Sequence, residues 1–63
     1  MYETYEKLRN EKGLTDYRVS IETHIPRSTF SEWKSGRSKP KVEKLVKLAT
    51  FFDVPIETFI NVR

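Results

Sequence analysis

Four polar side chains near the middle of the chain are spaced to work as one hydrogen-bonding edge. At the helical step of about 100° per residue, Ser28, Ser31, Glu32 and Ser35 share one side and Thr29, Phe30 and Trp33 share the other, with Arg27 at the N-terminal edge of the polar side. Short hydroxyls allow close approach to a groove. A guanidinium in the first turn can fork onto O6 and N7 of guanine, and a carboxylate can accept from N4 of cytosine. This is the non-covalent chemistry of a helix reading base edges, with Arg27, Ser28, Ser31 and Glu32 as the reading groups. Each also has a plainer role: Arg27 as a solvated arginine, Glu32 as partner to a neighbouring cation.

A second set surrounds the first. Thr15, Tyr17, Arg18, Arg37, Ser38, Lys39 and Lys41 carry hydroxyl or cationic groups suited to phosphate oxygens, supplied by side chains or by free N–H groups at helix starts. Any one of these lysines reads equally well as ordinary surface charge, and the cluster says more than its members. Phe30 and Trp33 are spaced with Thr29 as core anchors rather than as stacking platforms for bases. Tyr17 and Ile21, one helical turn apart, form an outward apolar pair that serves local packing or a partner.

Composition limits the alternatives. A length of 63 residues with 37% hydrophobic content holds one domain with one small core, covering 1–63. Twelve Lys and Arg against nine Asp and Glu give a net charge of +3, and the basic excess lies from Arg27 onwards. That balance is compatible with a polyanionic partner. Zero cysteines remove disulfides, thiolate metal sites and a cysteine nucleophile, and fit a reducing compartment. His24 is the sole histidine, and neither Glu3 with Glu6 nor Asp53 with Glu57 is placed beside an expected pocket. We therefore expect no enzyme activity, metal, cofactor or small-molecule ligand. There is no signal-peptide pattern and no apolar run near the roughly 20 residues of a membrane span, so a cytoplasmic protein, nucleoid-associated when bound to DNA, is the expectation.

The segments that must position these groups read as helices throughout. Tyr2 to Lys12 places Tyr2, Tyr5 and Leu8 on one side and stops at Gly13. Thr15 is placed to cap a second helix from about Asp16, with Val19 and Thr23 inward. Pro26 disfavours the helical region at Ile25, so that helix finishes by His24 and a third starts within two or three residues. So short a connection forces a steep angle, the helix-turn-helix geometry, over about residues 16–35. Gly36 ends the third helix, and Arg37, Ser38, Lys39 and Pro40 form a basic loop. Lys41 to Phe52 is a fourth helix with Val42, Leu45, Val46, Leu48, Ala49 and Phe52 on its apolar stripe. Pro55 to Ile60 reads as a final short helix that closes the core with Ile56, Phe59 and Ile60.

Taken in order, these landmarks resemble a known family. Gly13, Leu14 and Thr15 before the second helix, Val19 then Ser20 within it, Ser28, Thr29 and Phe30 opening the third, Trp33, Gly36 with a basic residue after it, Pro40, and Leu45 to Phe52 followed by Val54, Pro55 and Ile56 match the Cro/C1-type helix-turn-helix domain of phage repressors and bacterial regulators. The resemblance runs from about Tyr5 to Phe59. It implies an all-α, lambda repressor-like fold of five helices, double-stranded DNA as partner, and a homodimer spanning half-sites about 34–36 Å apart. Phe59, Ile60, Asn61, Val62 and Arg63 are the expected place for the second subunit.

Three positions depart from the family pattern. His24 stands where a turn glycine is usual, so a left-handed backbone is expected of it. Lys34 replaces a glutamate that pairs with an arginine in the first helix, leaving Arg9 without that partner. Asp16 takes the place of a glutamine that often contacts DNA. The function implied is sequence-specific DNA binding by a transcriptional regulator, a repressor of phage or mobile-element type. The alternative is a protein-interaction module, antitoxin-like or a subunit of a complex, built on the same fold.

Overall fold

The computed structural model describes residues 1–60. Four α-helices follow one another: α1 (Tyr2–Glu11), α2 (Asp16–Thr23), α3 (Arg27–Ser35) and α4 (Val42–Phe52). A single 3-10 turn, Ile56–Thr58, comes last. The described residues contain no strand. The all-α expectation holds, but the fifth helix does not form. Only six residues run from Pro55 to Ile60, too few to satisfy helical hydrogen bonding, and the i→i+3 bonds Thr58 N–H to Pro55 O (3.0 Å) and Phe59 N–H to Ile56 O (2.9 Å) are what the segment makes instead.

Each α-helix is followed by one residue in the left-handed region: Gly13, His24, Gly36 and Asp53, with φ of 66°, 62°, 79° and 58°. At Gly13 the reversal lets its own N–H reach Asn10 O at 3.0 Å and the N–H of Leu14 reach Arg9 O at 2.9 Å, so the last carbonyls of α1 are satisfied. The same pair of bonds recurs around Asp53, whose N–H donates to Thr50 O at 3.3 Å while Val54 N–H donates to Ala49 O at 3.0 Å. At His24 one bond suffices, His24 N–H to Ser20 O at 2.8 Å. Thr15 caps α2 as its position implied, its Oγ1 accepting from Arg18 N–H at 3.2 Å.

The core is a chain of rings linking helices that are distant in sequence. Tyr5 of α1 stacks on Phe30 of α3, centroids 4.8 Å apart and planes 4° from parallel. Phe30 meets Trp33 edge to face at 5.4 Å, and Phe52 of α4 lies 6.2 Å from Tyr5 and 6.5 Å from Phe59. Val19, Ile25, Leu45, Leu48 and Ala49 fill the remainder. Two expectations fail at the margin. Val42 and Val46 are 65% and 48% exposed, because Leu45, Leu48, Ala49 and Phe52 already cover the narrow face that α4 offers to so small a core. Ile60 is exposed, so Phe59, with the half-buried Ile56 packed against the core, closes it from the C-terminal side.

Candidate nucleic-acid interface

The reading face is fixed from beneath. Phe30 is fully buried and Trp33 nearly so, which anchors α3 at two points one turn apart and turns Arg27, Ser28 and Ser31 to solvent. The helix starts where Pro26 allows it: Pro26 takes the N-cap position with φ −59° and ψ 143°, and its carbonyl accepts from Thr29 N–H at 3.0 Å. Ile25, which periodicity did not mark as core, is fully buried between the two helices. Its N–H donates to Thr23 Oγ1 at 3.4 Å, and the Thr23 hydroxyl donates to Val19 O at 2.7 Å. The turn between α2 and α3 is thus tied down by a buried threonine and plugged by a buried isoleucine.

The basic loop is bound to the far end of α3. Gly36 lets Arg37 N–H return to Glu32 O at 2.9 Å, and Ser35 Oγ accepts from the same N–H at 3.4 Å. Ser38 then donates its hydroxyl to Glu32 Oε1 at 3.2 Å. Glu32 consequently holds the loop through both its carbonyl and its carboxylate, a role that sequence spacing did not show. Of the proposed phosphate ligands, Arg37, Lys39 and Lys41 are exposed along this loop and Ser38 is half-buried. Thr15, Tyr17 and Arg18 are exposed at the start of α2. Arg18 pairs with Glu22 at 3.1 Å one turn along. Tyr17 lies beneath Arg27, whose guanidinium carbon is 5.7 Å from the ring centroid.

Asp16, read as a departure from the family pattern, has a structural occupation. Its Oδ1 accepts from the Tyr5 hydroxyl at 2.5 Å and from Arg9 Nη1 at 2.8 Å. Arg9, expected to lack a partner once Lys34 replaced the usual glutamate, therefore finds a carboxylate on α2 in place of α3. Lys34 is exposed. Burial, the hydrogen bond to Asp16 and its charge push the Tyr5 phenol well above the usual tyrosine range. The hydrogen bond to Asp16 likewise strengthens the hold of Arg9 on its proton.

Comparison with known proteins agrees with this geometry. The helix-turn-helix family model matches residues 6–59, from α1 to the last aromatic of the core. The chain belongs to the Cro/C1-type helix-turn-helix family. Two relatives within reach of this Cro/C1-type domain are regulators by name. The HTH-type transcriptional activator BcrR of Enterococcus faecalis is 30% identical over 59 residues, covering 94% of the chain and 29% of the activator. The cryptic phage CTXphi transcriptional repressor RstR of Vibrio cholerae is 32% identical over 54 residues, covering 86% of the chain and 49% of the repressor. The chain thus spans less than a third of one relative and about half of the other. No solved structure gives a significant match. Among the described residues no helix is long and apolar enough to cross a membrane.

Proposed function

We propose that residues 1–63 form one sequence-specific DNA-binding domain of a transcriptional regulator. The observation that carries this is the two-sided build of α3: Phe30 and Trp33 are buried on one side, while Arg27, Ser28 and Ser31 are exposed on the other with Arg37, Lys39 and Lys41 beyond them. In the major groove Arg27 donates to a guanine, Ser28 and Ser31 contact neighbouring base edges, and Glu32 accepts from cytosine N4 through the oxygen that Ser38 does not hold. Thr15, Arg18, Arg37, Ser38, Lys39 and Lys41 set register against phosphates. Thr15 is suited to this, since a hydroxyl that accepts from Arg18 N–H retains its own proton to donate.

Regulation follows from occupancy of an operator, by repression of the phage type. The relatives' names divide between activator and repressor; occupying a site is the step that both outcomes require. Binding as a dimer across two half-sites completes the proposal. Phe59, one of the residues assigned to the second subunit by sequence, is 4% exposed and belongs to the core, whereas Ile60 is at the surface. Asn61, Val62 and Arg63 lie outside the described residues. Selection from a randomised duplex pool, with affinity measured at two salt concentrations, tests the whole reading. An enriched motif bound at least about a thousandfold tighter than scrambled DNA supports it, and a palindrome with half-sites about ten base pairs apart supports the dimer. Weak, steeply salt-dependent binding with no enriched sequence refutes it.

A further inference from the structure

Arg27 makes no ion pair among the described residues. A long side chain at an exposed helix start, left to itself, samples many rotamers and must surrender that freedom to grip a base. Here it has a support. Its guanidinium carbon lies 5.7 Å from the centroid of the Tyr17 ring, and the ring comes from a different helix, so the contact spans the turn between α2 and α3. The mount is rigid. Tyr17 is in the first turn of α2, directly after Asp16, which two hydrogen bonds tie to α1, and after Thr15, which caps the helix. Nor does its neighbour compete, because Arg18 is engaged with Glu22.

The chemistry of the pair matters more than its strength. An arginine over an aromatic face is attracted through its flat side, while its N–H donors point outward in the guanidinium plane and stay available to a bidentate acceptor. Support by a carboxylate would occupy those donors. Tyr17 is itself 58% exposed, so the contact with Arg27 is made at the surface, where the guanidinium remains open to a ligand.

We propose that Tyr17 is a positioning residue for base reading, its ring holding the Arg27 guanidinium in one orientation at the start of α3. This rests on the DNA-binding reading and moves Tyr17 from phosphate contact to specificity. Removing the ring weakens the preferred duplex and flattens discrimination at the base pair that Arg27 reads. Removing only the hydroxyl does neither.

The test uses the full chain with Tyr17→Leu, Tyr17→Phe, Arg27→Ala and the Tyr17→Leu/Arg27→Ala double variant, each melted to confirm folding. The probes are the best selected duplex and its single-base-pair variants. Tyr17→Leu is expected to lose about two- to fivefold on the best duplex, the range of an exposed cation–π contact, with the loss concentrated at one base pair. Tyr17→Phe is expected to bind as the parent does, and Tyr17→Leu to add nothing once Arg27 is alanine. In the free protein, the Arg27 δ-methylene protons should be shifted upfield by the ring current in the parent and in Tyr17→Phe, and return to ordinary values in Tyr17→Leu. Unshifted δ protons in the parent overturn the proposal without reference to DNA. A loss shared by Tyr17→Phe and spread evenly over all sequences overturns it in favour of a phosphate contact by the hydroxyl. A parent with no sequence preference brings down the DNA-binding reading and this proposal together, whereas a sequence-specific parent with an unchanged Tyr17→Leu variant brings down the positioning role alone.

Discussion

Asp16 accepts hydrogen bonds from the Tyr5 hydroxyl and the Arg9 guanidinium at once, and so joins the start of α2 to α1. Asp16→Ala leaves a buried hydroxyl without its acceptor and should lower unfolding free energy by about 1–3 kcal/mol in urea titrations. The raised pKa of Tyr5 has a defined sign. A group that holds its proton more tightly when folded contributes stability in full below its unfolded value, near about 10, and loses it as pH rises beyond that. Stability should therefore fall on the alkaline side, and Tyr5→Phe should fall less steeply than the parent between about pH 9 and 11. On the binding face, Arg27→Ala should cost about 1–3 kcal/mol of affinity and relax one base position, while Lys39→Ala should weaken all sequences alike. Affinities measured against a set of single-base-pair variants separate the two behaviours.

At the scale of elements, the four helix ends use the same left-handed reversal with different residues. Gly13 and Gly36 enter that region without penalty, whereas an L-residue pays roughly 1–2 kcal/mol there. His24→Gly should relieve this strain, less the roughly 0.5–1 kcal/mol of extra chain entropy that glycine loses on folding, for a net gain of about 0.5–1 kcal/mol. Gly36→Ala should lose about 1 kcal/mol, and purely through the backbone, since an added Cβ at Gly36 meets nothing within 4 Å. Thermal melting of the two variants should show shifts of opposite sign. The reversal at Gly36 also carries the binding argument, because it turns Arg37 back towards Glu32 and sets where the basic loop begins.

For the molecule as a whole, the rings that branch from Tyr5, to Tyr2, to Phe30 and to Phe52 with Phe59 beyond it, are what make separate short helices one body. Phe30 is the link from Tyr5 to α3, stacked on Tyr5 and edge-on to Trp33. Phe30→Ala should cost about 3–5 kcal/mol, as much as the whole stability expected of a core this size, so circular dichroism at 25 °C should show an unfolded chain. DNA binding would vanish with it on every sequence, which distinguishes it from the selective loss at Arg27.

Local chemistry in the sequence determined the helices, their ends and the turn. Pro26, Thr15, Gly13 and Gly36 act on their immediate neighbours, and the spacing of Phe30 and Trp33 settles which side of α3 turns inward. The left-handed backbone at His24 was legible through the family resemblance, which places a turn glycine at that position. Tertiary structure alone decided which side chains meet across elements: that Asp16 would receive Tyr5 and Arg9, that Ile25 would fill the gap between α2 and α3, that Glu32 would hold Ser38, and that Tyr17 would lie under Arg27. Periodicity assigns a residue to a face but carries no distance to a residue on another helix. The same limit explains Val42 and Val46, which share the apolar stripe of α4 and remain exposed because the rest of the core is too small to reach them.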